Sequence, residues 1–155
     1  HKAKKLRFDP KVILSGRSIN DQMYLYISRM FFLALRQKNI NFNKAKILTV
    51  GLTFKENVPD FRNSQAIKIT KKLIKSGLDV KFFDPLADIK INNKKNISSF
   101  AELKKYSKYF DGIIILVNHK AIKDKGLKFF QKLAKNNNIF FDIKNVFNSK
   151  SDFKL

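Results

Sequence analysis

The feature that most limits what this chain can become is an alternation of two periodicities. Short apolar runs at Lys46–Val50 (KILTV), Asp79–Phe83 (DVKFF), Gly112–Val117 (GIIILV) and Ile139–Asp142 (IFFD) have the length and composition of strands. GIIILV is continuous, as in strands buried on both faces. Between the runs the spacing becomes helical. In Ser64–Ser76 the residues Ala66, Ile67, Thr70, Leu73 and Ile74 share one face, and Gly77 stands where a helix usually ends. Ser99 with Glu102 forms a capping box that opens a helix through Tyr106. Gly126–Lys135 predicts a further helix and Asn136–Asn138 a turn. Strands alternating with helices imply a parallel sheet with right-handed crossovers. The expected fold class is therefore α/β, a small doubly wound parallel sheet (Rossmann-like) preceded by a long helix. Ligands of such sheets sit beyond the carboxyl ends of the strands, near the switch in strand order. Function should then lie in Gly51–Arg62, Asp84–Asp88, Asn118–Lys120 and Asp142–Asn145.

Residues 1–14 (HKAKKLRFDPKVIL) are basic, are broken by Pro10 and predict no element of their own. They resemble the tail of a preceding segment. From Ser15 the pattern changes: Ile19, Met23, Tyr26, Ile27, Met30, Phe31 and Ala34 recur at spacings of three and four, one face of a long helix. Ser18 with Asp21 resembles a capping box at its start, and the Asn39–Asn43 cluster should end it. The apolar face is wide, so it serves either core packing within one subunit or an interface between two.

Composition removes whole classes of chemistry. The 155 residues contain no cysteine, which excludes disulfides, thiolate metal sites and a cysteine nucleophile within this chain. Two histidines, His1 and His119, make a multi-histidine metal site a poor expectation. No apolar run approaches the ~20 residues that span a bilayer. The chain opens on His1 without a signal-like segment and reads as a piece of something longer. Lys and Arg number 33 against 12 Asp and Glu, a net charge of +21, yet 44% of the residues are hydrophobic, enough for one modest core. The 28 lysines are spread along the chain rather than gathered. That spread fits a compositional bias of the source, while the field it makes would attract phosphates or nucleic acid.

The stretch after the first strand, Gly51-Leu-Thr-Phe-Lys55-Glu-Asn-Val-Pro-Asp60-Phe-Arg62-Asn-Ser64, carries the most chemistry. It has one glycine and is not a GxGxxG fingerprint. It offers a turn glycine, Lys55, a proline-stiffened bend, and Arg62 just ahead of a helix start capped by Asn63 or Ser64. A Lys, an Arg and exposed helix N–H groups converging on one rim would bind a phosphate or diphosphate. Against this, Lys55 could be an ordinary solvated lysine, and Asp60 with Arg62 a local ion pair bracing the loop.

The loop GLTFKENVPDFRNS, with KILTV before it, closely resembles the signature of the carboxy-terminal domain of the UDP-glucose/GDP-mannose dehydrogenases. The likeness is strongest to the branch acting on UDP-N-acetylhexosamines, which makes uronic acid sugars of bacterial surface polysaccharides. SGRSINDQM resembles the start of the family's central dimerisation helix, VKFFDPLAD its second strand and turn, IIILVNHKAI the strand with its histidine, and FFDIKNVF the last strand. The resemblance implies three parts: residues 1–14 as the tail of the upstream catalytic segment, 15–44 as the central dimerisation helix, and 45–155 as the nucleotide-sugar (UDP) binding domain.

By the same resemblance, Phe54 and Lys55 contact the nucleotide sugar, Lys55 at its phosphates. Arg62 reaches NAD held mainly by another domain, and Asp60 helps hold the loop. Lys144 stands where the UDP-glucose enzymes have an arginine, keeping the charge and losing the fork. His119 fits the pattern and is expected to be structural. The family also needs an amino-terminal NAD domain and a cysteine forming a thiohemiacetal between two hydride transfers, and neither occurs in these residues. The expected protein is a cytoplasmic NAD-dependent UDP-N-acetylhexosamine or UDP-glucose 6-dehydrogenase, homodimeric through the 15–38 helix. Its partners include no nucleic acid, membrane or metal. This chain alone should be inactive, with no catalytic residue of its own. The alternative from another class is a basic nucleic-acid-binding module.

Overall fold

The computed structural model describes residues 11–148 and 151–153, with side chains from Ile19 onward. Helix α1 spans Lys11–Gln37. It starts ahead of the expected Ser15, so Lys11–Leu14 belong to the helix and Ser18 lies inside it rather than capping it. The sequence is compatible with the earlier start, because KVIL contains no helix breaker and follows a proline. The remainder of the expected 1–14 tail lies outside the described residues. The helix ends as the asparagine cluster predicts: Asn39 adopts φ 53° and the Ile40 amide donates back to the Leu35 carbonyl at 3.0 Å.

Strands β1 (Lys46–Val50) and β2 (Asp79–Phe83) form with the expected bounds. Between them α2 runs Gln65–Lys75, with Ser64 accepting the Ile67 amide as N-cap. Its fully buried residues are Ala66, Ile69, Thr70 and Leu73, so Ile69 replaces Ile67 and Ile74 at the centre of the inward face. A small hairpin follows, β3 (Lys90–Ile91) and β4 (Lys94–Lys95), turned by Asn92 and Asn93 at φ 49° and 62°. Asparagine tolerates this left-handed pair, which makes the tight turn. Ser99 caps α3 (Phe100–Leu103), while the Glu102 carboxylate bonds Ser98 rather than closing the box on Ser99. A short 3-10 turn continues to Tyr106.

Strand β5 is Phe110–Ile115, two residues earlier at each end than the apolar run suggested. Leu116 and Val117 are buried without being strand: the Leu116 amide donates to the Val50 carbonyl at 2.8 Å and Val117 passes directly against Gly51. Next come α4 (Lys120–Lys125) and α5 (Leu127–Leu133), broken by Gly126 at φ 75°. The first of these was not expected. Its start is secured from far away in sequence, the Lys120 amide donating to Asn57 Oδ1 at 2.8 Å. Strand β6 covers Ala134–Asp142, and the expected Asn136–Asn138 turn is an outpouching of it. The register jumps from Phe110↔Ala134 to Gly112↔Ile139, and Asn137 and Asn138 use the surplus length to bond Lys38.

The four strands are parallel in the order β2–β1–β5–β6, so the chain reverses its direction of progress between β1 and β5. Helices α1 and α2 cover one face, burying Ile27, Phe31, Leu35, Ile69 and Leu73 against Ile47, Ile114 and Phe141. The other face buries Leu103, Ile122, Phe130 and Leu133 from α3 to α5 against Leu48, Ile113 and Phe140. Each such large side chain removed from water contributes about 1.5–3 kcal/mol before entropy is counted. Gly112 makes room for α1: a Cβ there would stand 2.6 Å from the tip of the Phe31 ring. Residues 151–153 lie along the outer edge of β6, where Phe153 stacks on Phe141 at 4.9 Å and Asp152 pairs with Lys38 at 2.8 Å.

Candidate functional site

The turn after β1 is fixed by buried polar groups. Gly51 has φ 79°, and a Cβ on it would meet the Val117 backbone at 2.8 Å. Its amide donates to the Phe83 carbonyl at 2.9 Å, binding the ends of β1 and β2. The Leu52 and Thr53 amides both donate to the Asp84 carboxylate, whose second oxygen takes the Leu86 amide at 2.9 Å. Burial pushes the Asp84 carboxyl up, but the hydrogen bonds from His119 and these amides outweigh it, and the group sits below the usual carboxylate range.

His119 is fully buried beside it. Its Nδ1 accepts the Asn57 amide at 2.9 Å, so Nδ1 carries no proton and Nε2 does. Nε2 lies 3.0 Å from Thr53 Oγ1 and 3.3 Å from Asp84 Oδ2. With both ring nitrogens engaged inside the protein, His119 is structural, as the sequence suggested. Further along, the Phe54 amide donates to the Asp60 carbonyl at 2.6 Å, and Ser64 Oγ donates to the Thr53 carbonyl at 3.2 Å.

These bonds present Phe54 and Lys55 to a hollow of about 610 Å³ at the switch point. Its walls are Thr53–Glu56 after β1, Leu116–Asn118 after β5, Gln65 and Ala66 in the first turn of α2, Asn20 of α1, and Lys144 after β6. Lys144 is aimed by a buried acid: the Asp142 carboxylate accepts the Val146 and Phe147 amides at 2.9 and 3.0 Å, folding the chain back. Lys55 lies over the exposed Phe54 ring at 5.6 Å, and neither Lys55 nor Lys144 forms an ion pair among the described residues. Two unpaired cations and a helix N-terminus therefore border one cavity, an arrangement that attracts a diphosphate.

The expected rim is corrected in one respect. Arg62 does not line the hollow. Its Nε and Nη2 form a fork on Asp60 at 3.0 and 2.8 Å, and the side chain is 84% exposed. The acid two residues away is the nearest partner, so the local pair prevails over convergence with Lys55. The same fork holds the Asp60 carboxyl down at about 2. Asn63, at φ 58°, leaves the capping role to Ser64. Sequence reasoning missed Asn20 and Gln65, which give no local signal, whereas Asn118 lies in a strand-end loop already singled out. Among the described residues no cluster of His, Cys, Asp or Glu could hold a metal ion, and no helix is long and apolar enough to cross a membrane.

A four-stranded doubly wound sheet with a cationic hollow at its switch point defines a class of α/β ligand-binding domain. Residues 48–149 match the UDP binding domain of the UDP-glucose/GDP-mannose dehydrogenase family, and the chain belongs to that family. The chain is 34% identical over its whole length to the UDP-N-acetyl-D-glucosamine 6-dehydrogenase of Salmonella typhi, covering 36% of that protein. It is 38% identical over 96% of its length to protein CapL of Staphylococcus aureus, covering 35% of it. It thus spans about a third of the length of these curated relatives. Among solved structures, the UDP-N-acetyl-mannosamine dehydrogenase Cap5O of S. aureus superposes with a TM-score of 0.71 at 26% identity, over 96% of this chain and 33% of that one. The UDP-D-ManNAc dehydrogenase of Pyrococcus horikoshii gives 0.77 at 24% identity, over 99% and 34%, a likeness of fold. The family assignment leaves the nucleic-acid alternative without support.

Proposed function

We propose that this chain is the carboxy-terminal part of an NAD-dependent nucleotide-sugar 6-dehydrogenase acting on a UDP-N-acetylhexosamine or UDP-glucose, and that it supplies UDP-sugar binding and dimerisation. The observation that carries this is the pair of unpaired lysines, Lys55 and Lys144, bordering one hollow with the first turn of α2. Lys55 and the α2 amides hold the diphosphate, Phe54 covers the ligand, and Lys144 supplies a second cation. Such contacts, remote from the reacting C6, orient it for oxidation to a carboxylate.

NAD supplies the hydride acceptor when bound. The only group we assign to it here is Arg62, which stands outside the hollow with its guanidinium held to Asp60 on one edge and exposed elsewhere. That geometry fits a contact to a negatively charged group carried by a second domain. No catalytic residue is assigned to this chain, and we expect it to be inactive alone. Its proposed compartment is the cytoplasm.

The outer face of α1 supports the dimer. Ile19, Leu25, Tyr26 and Leu33 are exposed, and the first three border an apolar hollow with Met23. A second copy laid along 15–38 would bury them. Sedimentation should report a dimer for the wild type and a monomer for Leu25→Glu/Tyr26→Glu.

The central test is calorimetry with UDP. Replacement of Lys55 by Ala should weaken binding about tenfold, the loss of one charge-assisted contact. Unchanged affinity would remove Lys55 from the site.

A further inference from the structure

Among the groups the proposed function leaves unused, the buried His119 has the richest connections. It sits at the start of α4, with no exposed surface, so it cannot touch a ligand. What it touches is the turn that carries Lys55, on both sides. Before Lys55, Nε2–H points at Thr53 Oγ1 at 3.0 Å, and the Thr53 hydroxyl in turn donates to the Lys55 carbonyl at 2.9 Å. After Lys55, Nδ1 accepts the Asn57 amide at 2.9 Å. Asn57 has φ 58°, a conformation held from the other side by the Lys120 amide on its Oδ1 at 2.8 Å. One imidazole thus clamps the residues flanking Lys55 and ties them to the chain leaving β5.

Without the imidazole bonds the turn would keep its Thr53 and Phe54 contacts and the bond from the Lys120 amide to Asn57, but lose its tie to the start of α4. The exposed residues Phe54, Lys55, Glu56 and Asn57 would then have more conformational freedom to give up on binding. We infer that His119 is a positioning residue for Lys55, fixing the backbone on either side of it through Thr53 and Asn57, so that the lysine is preorganised for a diphosphate. The inference rests on the UDP-binding function proposed above. Its signature is an effect on phosphate recognition transmitted through Lys55, rather than a general loss of fold.

The test measures UDP and uridine affinities by calorimetry on the 155-residue chain, alongside thermal melting. His119→Phe keeps an aromatic ring and removes the contacts of both ring nitrogens, the Nε2 contact to Asp84 included, and His119→Asn restores an acceptor near the Nδ1 position. We expect His119→Phe to weaken UDP about tenfold with uridine unchanged, His119→Asn to recover part of the loss, and His119→Phe/Lys55→Ala to be no weaker than the worse single variant within about twofold. If His119→Phe does not fold, Thr53→Val, which deletes only the hydroxyl link, is read in the same way. Wild-type UDP affinity in a folded variant, or losses that add in the double variant, overturn the inference. A wild type that does not prefer UDP to uridine instead overturns the function on which it rests.

Discussion

The two ends of the sheet carry hollows of similar size, about 610 Å³ beyond the carboxyl ends and about 530 Å³ at the amino end. Both are bordered by lysines and asparagines. At the amino end Lys135 is already answered by Asp111, 2.7 Å away, and the same buried carboxylate takes the Lys46 amide at 2.9 Å. At the carboxyl end Glu56 shares the wall with Lys55 and Lys144, yet pairs with neither. Cavity volume does not distinguish a binding site from a seam in the scaffold. What differs is whether a carboxylate on the wall already answers a lysine. Asp111 holds Lys135 at the amino end, where Lys108 stays without an ion pair among the described residues, while at the carboxyl end neither lysine is answered.

The largest expected effect comes from closing the carboxyl end itself. Gly51→Ala puts a Cβ against Val117 at a positive φ, and should cost about 3 kcal/mol, seen as a melting point lower by about 10 °C. A stability within error of wild type would mean that the approach of β1 to Val117 is slack. Next in size, Lys144→Ala should weaken UDP about fivefold in calorimetry, as one fully hydrated cation lost from the rim. Lys144→Arg should bind at least as well as wild type.

The third effect is a pH dependence at the carboxyl end. Asp84 titrates below its ordinary range when folded, so its contribution is complete above about pH 4, the ordinary carboxylate value, and is lost as pH falls through the lower folded value. Acid unfolding followed by circular dichroism should therefore be shallower for Asp84→Asn than for wild type. At the amino end, Asp111→Asn should cost about 1 kcal/mol in chemical denaturation and leave UDP affinity unchanged. If it weakens UDP as Lys55→Ala does, the distinction between the two ends collapses. The smallest effect belongs to Arg62→Ala. Its pair with Asp60 lies in solvent, so melting and UDP affinity should both stay at wild-type values.

Local chemistry decided what could be foreseen. The bounds of β1 and β2 were legible because Gly51, Gly77 and Asp84-Pro85 punctuate them within a residue or two. The asparagine cluster ended α1 for the same reason. The shift of β5, the outpouching of β6 and the existence of α4 were not legible, since each depends on a partner distant in sequence: Gly51 on Val117, Lys38 on Asn138, Asn57 on Lys120. The hollow divides along the same line. Phe54 and Lys55 follow directly from the loop, and Lys144 from the end of β6. Asn20 and Gln65 join the wall only because α1 and α2 pack side by side, linked by Lys68 to Asp21 at 3.5 Å. The shared rim of Lys55 and Arg62 failed because adjacency in the loop said nothing about direction.

Gly112 lies under the carboxy-terminal third of α1, where any side chain would collide with the Phe31 ring. From Phe31 to Asn20 the helix runs about 16 Å, and a rigid rod lifted near one end swings at the other. A methyl group added in the heart of the sheet would thus tilt the wall that Asn20 gives to the ligand hollow. The same tilt would re-aim the outer stripe of α1 toward any second copy. Substitutions that tune affinity in this domain need not be sought near the hollow at all.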